Sequence, residues 1–187
     1  MAISVFYKIK NLLDEGTRSL KEMCFEVRLP NFVKFTGDGV LLIWDLRDHN
    51  YLDLDYIHIR KIIETLRQVC QAYHWPYFKK IAGRFANYPE GLRCSITQGQ
   101  VVSLGQGKEY VGQCINLASR LVKNRRLSFV IAQNGIDLEK DMNLGNPREA
   151  IVTKKLNIDG IGYEIIYILE KEFADLSPEE QEKFISI

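Results

Sequence analysis

The sequence predicts an α+β fold in which helices pack on a mostly antiparallel sheet. Its strands and helices intermingle along the chain, and the strands are joined by hairpins rather than by regular βαβ units. Two turn signals, Gly37-Asp38-Gly39 and Asp159-Gly160, each separate two apolar runs and so predict hairpins. Apolar residues at helical spacing over residues 55–74 predict a helix that covers the sheet.

The N-terminal part of the chain is predicted to form a helix followed by two strands. Residues 5–23 carry apolar side chains on one helical face, although Gly16 weakens the middle of that helix. Residues 24–35 are predicted to be extended, and Pro30 confines that strand to a sheet edge or to a late start. The unbroken run Val40–Trp44 predicts a strand that is covered on both faces.

The C-terminal part is predicted to hold the remaining strands and two helices. Strands are expected at Leu92–Thr97, with Gln100–Leu104 as its hairpin partner, at Phe129–Ala132, and at the hairpin pair Ile151–Leu156 and Tyr163–Leu169. A helix is expected from Gly112 to about Lys123, with a buried stripe formed by Ile115, Ala118, Leu121 and Val122. The Ser177-Pro178-Glu179-Glu180 stretch has an N-cap, a proline at the first helical position and a capping-box glutamate, so a helix over about 177–186 closes the chain.

Composition limits the class of protein. A chain of 187 residues with 46% apolar residues suits a single domain over 1–187 with a sizeable core. Lys and Arg number 25 against 24 Asp and Glu, so no basic face for nucleic acid is indicated. The longest apolar run is too short to cross a membrane, and the four cysteines contain no CxxC pair. We expect a cytoplasmic protein with reduced, mostly core thiols, no membrane span and no nucleic-acid partner.

The Gly37-Asp38-Gly39 hairpin places a carboxylate where the backbone cannot cover it. Glycines tolerate positive φ and allow a bulky ligand to approach the main chain. A carboxylate at the end of a rigid strand is well placed to hold a hard cation such as Mg²⁺. The alternative is that Asp38 is only a turn former, because Asp and Gly dominate turns.

A second polar pair lies on the helix that begins near Gly112. Asn116 and Arg120 are four residues apart, so their side chains share one face of that helix. The arginine offers a planar, permanently charged fork and the asparagine an amide donor, a combination that suits a polyphosphate. The alternative is that both side chains serve only to solvate a polar helix face.

Three segments, KFTGDG (34–39), ITQGQVV (96–102) and YVGQCINLASRL (110–121), together resemble the catalytic domain of class III adenylate/guanylate cyclases. The resemblance covers residues 5–169 and implies the ferredoxin-like cyclase core. It implies that Asp38 binds metal, that Lys34 and Glu109 recognise the base, and that Asn116 and Arg120 orient the ribose and stabilise the pentavalent phosphorus. It also implies Mg²⁺ or Mn²⁺ at a two-metal site, and a head-to-tail homodimer with the sites at its interface.

The function implied by the resemblance is conversion of a nucleoside triphosphate to its 3′,5′-cyclic monophosphate and pyrophosphate, for cyclic-nucleotide signalling. A lysine donor with a carboxylate acceptor fits adenine, so ATP is favoured, followed by CTP or UTP, with GTP last. The alternative is a catalytically silent cyclase-like module that binds nucleotide or a partner and regulates. A polymerase-palm relative is a weaker possibility, which the near-neutral charge disfavours.

The sequence departs from the family pattern at three places. No first metal aspartate is evident before Asp38, so the chain as given lacks its first strand or is a degenerate copy. An aspartate-bearing strand encoded upstream of Met1 would favour the active enzyme. Asp159 stands where many cyclases have a triphosphate-binding lysine; Lys154 or Lys155 compensates, or both are solvated strand residues. Gln113 replaces a frequent acid, a tolerable change.

Overall fold

The computed structural model describes residues 30–36, 39–46, 59–67, 70, 92–123, 127–134, 136 and 150–187. The chain divides into two compact units, Met1–Val69 and Cys70–Ile187. The predicted helix over 5–23 and residues 24–29 of the predicted strand lie outside the described residues. The assignment of the whole chain to one domain stays a prediction.

In the first unit, two strands form the predicted hairpin. Strand β1 (Phe32–Thr36) pairs antiparallel with β2 (Gly39–Ile43), and Thr36 lies opposite Gly39 at the turn end. Residues 37 and 38, which join the strands, lie outside the described residues. The strand begins after Pro30, as the late-start interpretation expects. Strand β2 is half-buried along most of its length, so the prediction of complete cover on both faces is wrong.

Helical residues 59–67, here α1, lie inside the helix predicted over 55–74. Ile63 is fully buried and Leu66 nearly so, three residues apart on one face. The predicted amphipathic pattern therefore places Ile63 and Leu66 correctly on the buried side, but it does not anticipate the burial of Arg67.

The second unit contains a five-stranded sheet that is mostly antiparallel, as predicted. Its strands, in spatial order, are β3 (Cys94–Ile96), β6 (Phe129–Ala132), β8 (Gly162–Leu169), β7 (Ile151–Ile158) and β9 (Phe184–Ser186). Only β3 and β6 are parallel; the other three neighbouring pairs are antiparallel. Together with the helices, this sheet makes the described fold α+β.

Two helices adjoin the core of the second unit: the first contributes buried side chains, and the second contributes the half-buried Phe173. They are α2 (Gln113–Leu121) and α3 (Glu170–Ala174). The core cluster joins buried side chains of α2, four strands and the segments next to the helices: Leu117, Leu121, Leu127, Val130, Ala132, Ile158, Ile166, Ile168, Leu176 and Phe184. All four residues of β6 are buried, so this strand is covered on both faces of the sheet.

A separate small hairpin corrects one predicted strand pairing. Strand β4 (Val102–Leu104) pairs antiparallel with β5 (Glu109–Val111), whereas β3 pairs with β6. The expected β3–β4 hairpin is therefore wrong. The physical reason lies in the turn at 105–107, where all three residues have positive φ (58°, 58° and 85°) and reverse the chain after β4.

The C-terminal segment confirms one prediction and corrects another. The short helix α4 (Pro178–Gln181) has the predicted capping box, in which Ser177 N–H donates to Glu180 Oε2 at 3.1 Å. The helix does not extend to 186, because Phe184–Ser186 forms the edge strand β9 against β7. Phe184 is buried there, with its ring edge-on to Phe173 at 5.6 Å between centroids. Burial of this aromatic ring favours the strand over a longer helix.

The described cysteines are free thiols. Cys70 is buried, whereas Cys94 and Cys114 are half-buried. The hydrogen bond with Cys94, followed by burial, raises the pKa of the Cys70 thiol well above its ordinary value, so it stays protonated. Among the described residues, no helix has the length and apolar character needed to cross a membrane.

One polar contact ties α3 to the start of β6, and it leads to a stability prediction. Both the N–H and the hydroxyl of Ser128 donate to the half-buried Glu172 carboxylate, the former at 2.9 Å. Hydrogen bonds to charged groups contribute more than neutral ones, so Glu172→Gln is expected to lower the free energy of unfolding by about 1–3 kcal/mol. Urea denaturation followed by circular dichroism measures this change.

The matched control for that prediction is Glu170→Gln in the same first helical turn. Glu170 is exposed, so both variants lose the same interaction with the helix dipole, but only one loses the contact with Ser128. The control is expected to change stability by less than about 0.5 kcal/mol. Equal losses in the two variants would contradict the structural role given to Glu172.

Candidate functional site

Helix α2 positions the two polar residues singled out from the sequence. It begins after Gly112 and ends before Val122, as the helical spacing predicts. Its fully buried side chains are Leu117 and Leu121. Ile115 and Val122 are only half-buried, so the buried side differs from the predicted stripe. Asn116 is exposed and Arg120 is half-buried, which leaves both accessible to a ligand.

Two hydroxyl groups of β3 and the segment after it hold α2 in place. Ser95 Oγ donates to the Ala118 carbonyl at 2.7 Å, and Thr97 Oγ1 donates to the Cys114 carbonyl at 2.8 Å. The two carbonyls are four residues apart, so the hydroxyls hydrogen-bond to one side of the helix about one turn apart. This attachment fixes α2 against the sheet and thereby fixes the positions from which its polar side chains project.

The start of α2 is crowded by the chain that leads into β4. A Cβ atom on Gly112 would lie 2.6 Å from the carbonyl oxygen of Gln100 and 3.1 Å from Val101 Cγ1. The φ of Gly112 is 176°, an extended value that any residue adopts. Glycine is therefore required here by close approach of the backbone and not by φ.

Asn116 and Arg120 are brought together as the spacing predicts. Arg120 Nε donates to Asn116 Oδ1 at 3.2 Å, a pair one helical turn apart. Because the carbonyl oxygen of the asparagine accepts this bond, its NH₂ group, with two donors, is directed elsewhere. The pair therefore presents N–H donors and one positive charge, which suits an anionic ligand.

The structure adds a contact that the sequence does not reveal. Arg120 Nη1 donates to the backbone carbonyl of Asp159, in the turn between β7 and β8. Gly160 follows in the same turn, and a Cβ atom there would lie 3.4 Å from both terminal nitrogens of the guanidinium. The turn therefore lies directly against the Arg120 fork. The partners are 39 residues apart, and no local pattern connects them.

The other predicted site residues lie on separate elements. Lys34 lies in the middle of β1 in the first unit, where it is half-buried opposite Leu41. Glu109 is exposed at the start of β5 in the second unit. Asp38, the predicted metal ligand, lies outside the described residues. Within one chain, the structure thus brings together Asn116 and Arg120 of the predicted set.

Neither lysine suggested as a replacement for the missing triphosphate lysine extends freely into solvent. The Lys154 ammonium lies 4.4 Å from the centroid of the Phe173 ring and donates to Ser186 Oγ at 3.4 Å. The Lys155 ammonium lies 5.0 Å from the centroid of the Tyr163 ring. Lys155, the nearer of the two, is four residues from Asp159, about 13 Å along an extended strand. The Lys154 ammonium is therefore engaged by Phe173 and Ser186, whereas the Lys155 ammonium lies against Tyr163, which pairs with Asn157 near the turn end of the hairpin.

No group of His, Cys, Asp or Glu in the described part of the chain has the arrangement needed to hold a metal ion. The expectation of Mg²⁺ or Mn²⁺ thus depends on Asp38 and on the family resemblance. What the described residues can do is bind and orient an anion at the end of α2. No family model, curated protein or solved structure matches the chain.

Proposed function

We propose that the chain is a class III nucleotide cyclase domain with the ferredoxin-like cyclase core, which converts a nucleoside triphosphate to its 3′,5′-cyclic monophosphate and pyrophosphate. The observation that supports this most directly is the Asn116–Arg120 pair, with its 3.2 Å hydrogen bond. The resemblance of 34–39, 96–102 and 110–121 to the cyclase family assigns that pair to the ribose and the reacting phosphorus.

The reaction in this proposal needs orientation and charge stabilisation more than covalent chemistry. The 3′-hydroxyl gives up its proton to water as its oxygen bonds to the α-phosphorus of the same nucleotide, and the bond from that phosphorus to the pyrophosphate oxygen breaks, so that pyrophosphate leaves. Negative charge develops on the equatorial oxygens in the transition state. The permanent positive charge of the Arg120 guanidinium stabilises it. Asn116 holds the ribose so that the hydroxyl is directed at phosphorus. Lys34 and Glu109 recognise the base, with ATP favoured, then CTP or UTP, and GTP last.

In the proposal, the site is shared by two copies of the chain. One copy supplies Asp38 as a ligand for Mg²⁺ or Mn²⁺, and the other supplies the Asn116–Arg120 pair. The β4–β5 hairpin supports an interface near Glu109: Val102, Leu104 and Val111 are 60%, 46% and 49% exposed. The strand register places these three side chains on the same face of the hairpin as Glu109. Apolar side chains grouped in this way are typical of a surface that a partner covers.

The direct test is incubation of the purified chain, extended by the residues encoded upstream of Met1, with each of the four ribonucleoside triphosphates and Mn²⁺ or Mg²⁺. The expected product is a 3′,5′-cyclic monophosphate, identified by chromatography against the 2′,3′ isomer, with ATP as the best substrate. Binding of nucleotide without any cyclic product would reject the enzyme and support the silent regulatory module. Absence of both binding and product would reject the nucleotide site itself.

Charge at the β7–β8 turn gives a second test of the anion site. Asp159 is exposed and its carbonyl contacts Arg120, so its side chain lies close to the proposed phosphates. Asp159→Lys replaces a negative charge by a positive one and is expected to tighten ATP binding about tenfold, or about 1.4 kcal/mol. Isothermal titration calorimetry at low and high salt measures the change, which decreases as salt screens it.

The control for charge is Asp175→Lys, at the exposed end of α3. It changes the net charge of the chain by the same amount, but Asp175 does not lie in the turn that contacts Arg120. The ATP affinity of this variant is expected to stay within about twofold of that of the natural chain, because Asp175 is not part of the turn that contacts Arg120 and its exposed charge is screened by salt. Equal tightening in both variants would indicate general attraction and count against a site at Arg120.

A further inference from the structure

The direction of the Arg120 side chain is fixed from two sides by different parts of the fold. Its Nε donates to Asn116 on the same helix, and its Nη1 donates to the backbone of the β7–β8 turn. A guanidinium has five N–H donors, so these two contacts leave three for a ligand, as far as the described residues show. An arginine held at both edges loses little conformational freedom when it binds an anion.

The turn is built so that its central carbonyl is available for this contact. The hydrogen bond that closes the turn runs from Ile161 N–H to the Ile158 carbonyl at 2.9 Å, so it does not use Asp159. Gly160 has φ of +71°, which is the left-handed region favoured by glycine. In a four-residue turn over 158–161, this glycine occupies the third position, where a type II turn requires positive φ. The closing bond therefore leaves the Asp159 carbonyl available to accept from Arg120.

Glycine at 160 also leaves the space that the guanidinium occupies. A Cβ atom at this position would lie 3.4 Å from Nη1 and Nη2 and 3.6 Å from Cζ of Arg120. Any larger side chain at 160 therefore meets the guanidinium directly. By contrast, a Cβ atom on Gly162 would find nothing within 4 Å, although this residue also has positive φ, +104°.

We propose that the Asp159–Gly160 turn is a positioning element for Arg120, which acts through its main chain and sets the direction in which that arginine meets the phosphates. The proposal rests on the proposed function for the identity of the ligand, but the contact itself does not depend on any ligand. The side chain of Asp159 has no part in it. Substitution of that side chain therefore leaves Arg120 in place, whereas substitution at Gly160 strains the turn that carries the carbonyl and adds a side chain in contact with the guanidinium.

Two glycine variants separate positioning from backbone strain. Gly160→Ala and Gly162→Ala both place an L-residue at positive φ and are both expected to lose some thermal stability. Only the first is expected to weaken binding of inorganic tripolyphosphate, by about tenfold, while the second stays within about twofold of the natural chain. Gly160→Asn is a further variant, since asparagine tolerates positive φ better and isolates the effect of the added side chain.

A spectroscopic measurement tests the contact without any ligand. In ¹⁵N-labelled protein at low temperature, the Arg120 Nη1–H resonance, identified by its loss in Arg120→Lys, is expected to be shifted from the free-arginine position, because Nη1 donates to the Asp159 carbonyl. It is expected to move toward that position in Gly160→Ala and to stay unchanged in Gly162→Ala. A free-arginine resonance in the natural chain, or equal movement in both glycine variants, would overturn the proposal.

The two measurements distinguish failure of this inference from failure of the proposed function. If the natural chain does not bind tripolyphosphate but the Arg120 Nη1–H resonance responds only to Gly160→Ala, the turn positions Arg120 and the nucleotide site is wrong. If the natural chain binds tripolyphosphate and Gly160→Ala binds it with equal or higher affinity, the anion site is supported and the turn has no positioning role.

Discussion

Arg120→Lys is expected to lower kcat for cyclic nucleotide formation by about 10²–10³-fold, the usual cost of removing one donor that stabilises transition-state charge. Lysine keeps the charge but cannot reproduce the planar fork that contacts Asn116 and the Asp159 carbonyl. KM for the triphosphate is expected to change less than kcat, because the lost interaction is strongest in the transition state. Steady-state kinetics on the substrate found in the nucleotide screen measures both constants.

The control variant is Lys123→Ala, which removes an exposed cation three residues further along the same segment. It is expected to keep kcat within about twofold, since nothing in the proposed chemistry uses that side chain. A similar loss in both variants would indicate general destabilisation of α2 or loss of net charge. A normal kcat in Arg120→Lys would contradict the proposed role of the arginine.

Complementation tests the sharing of the site between two copies. Arg120→Lys and Asp38→Asn chains are each expected to be nearly inactive. In a two-fold dimer whose sites combine one residue from each copy, random mixing gives half mixed dimers, and each of these has one intact site. About a quarter of the natural activity is therefore expected to return. No recovery, when chain exchange is demonstrated, would contradict a shared site.

Local patterns predicted most of the described elements. The Asp159-Gly160 hairpin, the strand Phe129–Ala132 and the helix after Gly112 all form where the sequence placed them. Each depends on residues within a few positions of one another: a turn dipeptide, a run of β-branched side chains, or an apolar period of 3.6. The capping box at Ser177 is likewise a local arrangement, and the structure confirms it.

The elements and pairings that the sequence did not predict all depend on contacts between distant parts of the chain. Strand β9 forms at Phe184–Ser186 because it pairs with β7, about 30 residues earlier, and buries Phe184; nothing adjacent marks it as a strand. Strand β3 likewise pairs with β6 across α2 and not with the nearer β4. The same limit applies to the site. The Asn116–Arg120 pair follows from helical spacing, whereas the Asp159 carbonyl reaches Arg120 only through the fold.

Gly112→Ala is expected to lower the free energy of unfolding by about 1–3 kcal/mol, the cost typical of forcing an extra carbon into a packed region. The added Cβ would lie 2.6 Å from the Gln100 carbonyl, so either the chain near Gln100 or the start of α2 has to move. The hydroxyl contacts of Ser95 and Thr97 to the Ala118 and Cys114 carbonyls resist the second movement. Urea unfolding followed by circular dichroism measures the loss.

Gln113→Ala is the control, because this exposed residue is the first of α2 and alanine has high helix propensity. Its stability is expected to change by less than about 0.5 kcal/mol.

The effect of Gly112→Ala on the site depends on which part of the chain moves. If α2 moves to accept the Cβ, Arg120 loses its alignment with the Asp159 carbonyl, and tripolyphosphate binding weakens together with stability. If the loss of stability occurs with unchanged binding, the strain is absorbed near Gln100 and α2 stays fixed by β3. Natural stability in Gly112→Ala would mean that the close approach of Gln100 to the helix start is wrong.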